Sequence, residues 1–457
     1  MTTHPKMFKR ALAAVAVAAT CIVVTIGGAT MTNAASVGGK CARAGQTQKT
    51  RTVTLVCKRT GGRLQWVRTS SGSGSGSGSG ASTTPSTTTT TVSVSTTPTA
   101  ACKLPVADGR GDVSIGGWPR IAERSKTTGT VVATVIMVDF PDAPATMTPQ
   151  AAFAKISGAT ATFSEMSYGR LNYAFNPQFK WYRMSSPSTH YAPLNASFVK
   201  HRSYIAEAAA LADADVDFSS TDNIVILANP DARGLGMAGP AFAAVNGNGI
   251  TLDGKYVSNG ATSAYDLNTW SSIWLNHEIT HAFGLVDVYA ATRDNANNAY
   301  DGHRHVGEFS YMGLSSFDGN APSLFAFERW NLGWLDDSQI VCSSAKEITQ
   351  LVTPVQSAGG IKAVIVPLTA TKALVVESRR ALGLDRRIAK PGALVYTVDS
   401  SVQSGLGPVK VYPSAVASDP RFLSAPRAAG ESVTVEGITV RVSSASSAGD
   451  TVVITRP

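Results

Sequence analysis

The sequence predicts an α+β protein, a mixed twisted sheet with one function-bearing helix, followed by an all-β, sandwich-like C-terminal domain. Three observations carry this. The apolar runs over 131–140 and 223–228 do not alternate with polar residues, so they read as strands buried on both faces, with helical stretches between them. A helix over 270–283 carries His277, Glu278 and His281 on neighbouring turns. Beyond residue 346, short apolar runs recur between turn residues with no helix between them, which is the pattern of a sandwich.

The chain has 457 residues, enough for two or three domains. Lys6, Lys9 and Arg10 precede an apolar run over 11–26 and small residues up to Ala34 and Ala35. That order is expected of a signal peptide, 1–35, cleaved near Ala34 or Ala35, and it implies a secreted, extracellular protein. The run is short of the roughly 20 residues that span a bilayer. If uncleaved, it would anchor the protein to the cell envelope. Residues 36–69 alternate apolar and polar positions on both sides of Gly61-Gly62 and read as a small β module, expected to be stapled by Cys41–Cys57. Through this module the protein is expected to associate with a cell wall or cell surface. Residues 70–101 are Ser-Gly repeats followed by a Thr-rich, Pro-containing stretch, a linker that cannot bury enough apolar surface to order itself.

The main region is expected over 102–345. It reads as a strand over 131–140, a helix over 153–167, a strand over 173–181, a helix over 201–214 and a strand over 223–228. The glycine-rich stretch over 234–249 reads as a loop and an edge strand beside a cleft, able to pair with an extended peptide. On the helix over 270–283, Trp270, Ile273 and Trp274 are expected to pack beneath the histidines. The domain over 346–457 either orients a substrate or caps the preceding domain, and the cap is the simpler expectation.

The stretch His277-Glu278-Ile279-Thr280-His281-Ala282-Phe283-Gly284-Leu285-Val286-Asp287 reads H-E-x-x-H-x-x-G-x-x-D. At about 3.6 residues per turn, His277 and His281 project from one helix face and can chelate a single Zn2+ ion. Glu278 lies about 100° further round, where its carboxylate faces water at the metal's open position as a general base. Gly284 tolerates positive φ, so the helix can end there and the chain can turn Asp287 towards the metal. His303, His305 and Glu308 compete with Asp287 for the third position. Asp287 ranks first because Gly284 gives it a defined turn. The stretch over 294–302 is rich in oxygen ligands and can take Ca2+, although it lacks a full calcium-loop pattern.

Five cysteines are present, and Cys21 would leave with the leader. The remaining four are expected to form two disulfides, Cys41–Cys57 and Cys102–Cys342. The alternative for Cys102, a thiolate that masks the metal in a latent form, finds no matching surroundings in Ala101-Cys102-Lys103-Leu104-Pro105.

With these residues the chain resembles the immune inhibitor A-like secreted metallopeptidases, a metzincin-like group. The likeness covers 130–335. It rests on the motif above, on Ser167-Tyr168-Gly169 before a strand, on Asp215-Val216-Asp217-Phe218-Ser219, on Tyr311-Met312-Gly313 and on the stretch over 325–335. The resemblance implies a zincin/metzincin-like catalytic domain and a zinc endopeptidase acting on proteins or peptides. In it His277, His281 and Asp287 bind metal, Glu278 is the base, and Met312 lies in a turn below the zinc. One position departs from the pattern. Many metzincins carry a tyrosine two residues after the methionine to steady the oxyanion, and here that residue is Leu314. Tyr311 or a backbone donor is the candidate substitute.

The chain is 43% hydrophobic and 16% charged, with a formal charge of +9 that falls to +6 without the three leader cations. No basic run or aromatic-interleaved stripe accompanies that charge, which excludes a nucleic-acid partner. The protein is expected to act as a monomer. The rival reading is a cell-surface adhesion or binding protein with a degenerate or structural zinc site. A further rival is a zinc hydrolase acting on a non-peptide bond.

Overall fold

The computed structural model describes residues 44, 46–49, 54–60, 63–68, 97–106, 117–291, 302–413 and 419–457. The leader, Cys41, most of the linker and most of the oxygen-rich stretch over 294–302 lie outside the described residues. The chain divides into two compact units, Met1–Thr90 and Thr91–Pro457. No helix among the described residues is long and apolar enough to cross a membrane.

In the first unit, strands Thr47–Lys49, Thr54–Thr60 and Arg63–Arg68 form an antiparallel sheet in that order. Leu55, Cys57 and Trp66 are its buried core. Cys57 is disulfide-bonded, and its expected partner Cys41 falls outside the described residues.

The second unit is mixed helix and sheet, richer in strand than in helix. Its first sheet runs Leu171–Arg183, Gly129–Asp139, Asn223–Ala228, Asn259–Thr262, Ala241–Ala243. The first four strands are parallel, and Ala241–Ala243 is an antiparallel edge. The apolar run over 131–138 follows from double-sided burial. Val131, Ala133, Val135 and Met137 enter one core, with helices Pro149–Ala154, Ala159–Met166 and Ser272–Ala282. Ile136 and Val138 face the other core, where helix Phe198–Ala212 presents Tyr204, Ile205, Ala208 and Ala212.

Two expected helices are broken in two. The one over 153–167 divides at Gly158, the N-cap of its second piece. The one over 270–283 becomes Asp266–Thr269 and Ser272–Ala282, separated by Trp270 and by Ser271 at φ 51°.

Beyond residue 339, two sheets form a sandwich, one over Ile340–Cys342, Ala363–Pro367, Lys372–Arg379, Gly392–Asp399 and Val409–Tyr412. The other is made of Glu347–Val352, Gly449–Thr455, Ile438–Ser446 and Ser432–Val435. The first of these is a middle layer. Val364, Val366, Leu374, Val376 and Val395 fill the sandwich interior with Val440, Val452 and Ile454. The alternate residues Ile365, Val375, Leu394 and Tyr396 join the core that also holds Trp274, Ile279 and Met312. The Cys102–Cys342 disulfide closes this unit across 240 residues of sequence, so Cys102 is not a metal-masking thiolate.

Candidate metal centre and active site

The helix Ser272–Ala282 presents His277 and His281 from one face, with ring centroids 4.9 Å apart. It ends in a Schellman motif: the Gly284 N–H donates to the His281 carbonyl at 2.8 Å, and the Leu285 N–H to the Thr280 carbonyl at 3.2 Å. Gly284 sits at φ 104°, as that turn demands. The chain then doubles back and sets Asp287 beside both rings. Its Oδ1 lies 3.0 Å from His277 Nε2 and 3.4 Å from His281 Nε2. Among the described residues, His277, His281 and Asp287 form the group of three that can hold a metal ion.

Backbone carbonyls orient both imidazoles. His277 Nδ1 lies 3.3 Å from the Tyr311 carbonyl and His281 Nδ1 2.9 Å from the Leu285 carbonyl. A carbonyl can only accept, so each Nδ1 carries the proton. Each Nε2 of a neutral ring then presents a lone pair towards an anionic oxygen. Three acceptors converging on one point can be bridged by a cation, and these residues could hold a metal ion. Without a metal, a proton on His281 can serve as that cation. Burial opposes charge on His281, but the Asp287 carboxylate overcomes it and raises the imidazole to about 9. Burial would raise Asp287, yet His281 and His277 outweigh it and hold the carboxyl far below the usual range.

Glu278 points to the other side of the triad. Its Oε2 accepts the Ala241 N–H at 2.9 Å, which ties the helix to the edge strand. Burial raises its carboxyl, and the two histidines offset part of that rise. A half-buried carboxylate with a raised pKa beside a candidate cation site is suited to receive and return a proton.

Two cavities, of about 540 and 430 Å³, share Pro240, Glu278, His281 and Asp287 as their common wall. Ala241, Ala243, Phe198, Arg124 and Ser404 line the larger. Trp270, Trp274, Leu314, Phe317 and Tyr289 line the smaller, which is apolar and aromatic. The edge strand therefore borders the cleft, as the glycine-rich stretch suggested. Two of its polar groups are already engaged: Glu278 takes the Ala241 N–H, and Arg124 Nη1 donates to the Ala243 carbonyl at 2.6 Å.

Trp270 and Trp274 form cavity wall, and the ring against His277 is Phe317, with centroids 4.6 Å apart. Met312 is fully buried, and its turn touches the metal group through the Tyr311 carbonyl. That turn is held from behind. Ser310 at φ 69° donates its hydroxyl to Glu328 at 2.8 Å and accepts the Met312 N–H at 3.2 Å. Burial lifts the Glu328 carboxyl to about 7. Tyr311 points into the core and is 1% exposed, so Tyr289 is the tyrosine at the cleft.

Two of the competing ligands are engaged elsewhere: His303 lies 3.1 Å from Asp318, and Glu308 binds Arg421 and Asn320. His305 stands outside the group of three that could hold a metal ion. The sequence offered no signal for Ser404, Tyr289, Phe317 or Arg124, since the fold alone brings them to the motif. Compared with known proteins, the chain matches no family model, and no curated protein matches it.

Proposed function

We propose that this protein is a secreted, zinc-dependent endopeptidase of metzincin-like architecture. One observation carries the reading: Glu278, His281 and Asp287 form the shared wall of two cavities bordered by a sheet edge, and His277 completes the metal-holding group from the smaller one. A bound divalent ion supplies Lewis acidity, polarising a carbonyl and acidifying water. The three ligands hold it, with Nδ1 of each histidine fixed by a carbonyl so that both Nε2 atoms stay available. Glu278 takes the proton from water and returns it to the departing amine, and its bond to Ala241 sets its direction. The edge strand aligns an extended peptide. Aromatic walls on one side and a more polar cleft on the other suit a chain that crosses both cavities.

The test is casein hydrolysis by purified protein, with metal content measured in parallel. One zinc per chain and chelator-sensitive cleavage are expected, with Glu278→Gln keeping the metal and losing cleavage. Full activity in that variant refutes the assignment. Bound zinc without hydrolysis of casein or of a peptide library favours the adhesion reading.

A further inference from the structure

We infer that Ser404 and Gly405, in the loop between the last two strands of the C-terminal sheet, belong to the metal centre and position Asp287. This rests on the reading that the triad binds a divalent ion.

The loop joins strands Gly392–Asp399 and Val409–Tyr412 and reaches the cleft from the C-terminal sandwich. It binds both main-chain polar groups of the third ligand. The Asp287 N–H donates to Ser404 Oγ at 3.2 Å, and the Gly405 N–H donates to the Asp287 carbonyl at 3.1 Å. The Ala291 N–H then donates to the Gly405 carbonyl at 3.0 Å. The loop therefore runs alongside the segment 287–291 as a short ribbon. Gly405 is at φ 72°, and a Cβ placed there would lie 2.5 Å from the Ala291 Cβ, so only glycine admits this approach. One turn further, Gly407 at φ 86° lies against the His305 ring, where a Cβ would come within 2.9 Å. The ribbon is fixed at both ends.

Asp287 needs this support. The helix ends five residues before it, at Ala282, and the Asp287 side chain is 24% exposed on the cleft side, against 2% for His277. A carboxylate on a turn finds its direction from its backbone, and here the C-terminal sheet supplies that backbone's partners. Ser404 also lines the larger cavity beside Glu278 and His281. The tail thus holds the backbone of the third metal-holding residue and forms part of the cleft wall, which goes beyond the role of a cap. Groups that orient a ligand in this way typically change metal affinity by roughly ten- to a hundredfold when removed.

The experiment uses the full chain and measures zinc affinity by competition with a chromophoric chelator. Urea unfolding of the metal-free protein is measured alongside. Ser404→Ala is expected to weaken zinc binding by about tenfold or more, Gly405→Ala by more still, and Ser404→Thr to restore it. Ser401→Ala, an exposed position in the same loop, serves as the control at wild-type affinity. Wild-type zinc affinity in Ser404→Ala overturns the proposal. So does a loss in that variant matched by an equal loss in Ser401→Ala, or one that Ser404→Thr does not restore. If the wild type takes up no zinc, the metal reading itself has failed, an outcome distinct from selective loss in the loop variants.

Discussion

The Glu278 carboxylate accepts a hydrogen bond from the Ala241 N–H at 2.9 Å, so the proposed base takes its direction from the same strand that borders the cleft. Shortening the side chain breaks that link while keeping the charge. Glu278→Asp is expected to retain its metal and lose about a hundredfold in kcat/KM on a peptide substrate, since misplacement by about 1 Å carries a cost of that order. An aspartate variant as fast as the wild type would show that the link to Ala241 does not matter.

Gly284 sits at φ 104°, and a Cβ there would meet Arg124 Cγ at an ordinary 3.6 Å. The cost of Gly284→Ala is therefore conformational, with no steric clash. It should destabilise the chain by about 1 to 3 kcal/mol and weaken metal binding, because the turn that delivers Asp287 must re-form. Urea unfolding and a zinc titration check both. Unchanged zinc affinity would separate the turn from the ligand.

His201 is buried on helix Phe198–Ala212, with Nε2 2.8 Å from the Thr262 hydroxyl, and burial lowers it from 6.5 to about 4. The folded chain thus keeps it neutral at pH values where the unfolded chain takes up a proton. Its stabilisation is complete above pH 6.5 and is lost as the pH falls towards 4, roughly 3 kcal/mol in all. In His201→Gln the urea midpoint should fall less between pH 7 and pH 5 than in the wild type. Parallel curves would refute this.

The Cys102–Cys342 bond spans 240 residues that include His277, Glu278, His281 and Asp287. On chain-entropy grounds a loop of that size is worth about 5 to 6 kcal/mol. The double variant Cys102→Ala, Cys342→Ala is expected to lose about that much in urea unfolding, and reduction of the wild type should match it. A loss below about 1 kcal/mol would mean that the reduced chain is already restrained.

Whatever depends on local spacing was legible in the sequence. The four-residue step from His277 to His281 and the turn at Gly284 are set by a few neighbouring bonds, and the structure brings Asp287 to both rings. The strand Asn223–Ala228 has the bounds its apolar run suggested, because both its faces are buried. Long-range features were not legible. Ser404 lies 117 residues from the ligand it holds, and Phe317 reaches His277 only because the chain after Met312 folds back. The break at Ser271 has no cue in residue type, since a serine at φ 51° follows no propensity rule.

The middle sheet has a bearing on engineering. Its strands send Val364, Val366, Leu374 and Val376 to one interior and Ile365 and Val375 to the other. A foreign sandwich grafted after residue 345 would therefore have to reproduce an underside shaped for the domain above it. Inserting a single residue within one of those strands would transpose the two interiors from that point onward. The tail is not an interchangeable cassette. Chimeras that respect only its outline should fail, while those that copy the inward-facing and downward-facing side chains together should fold.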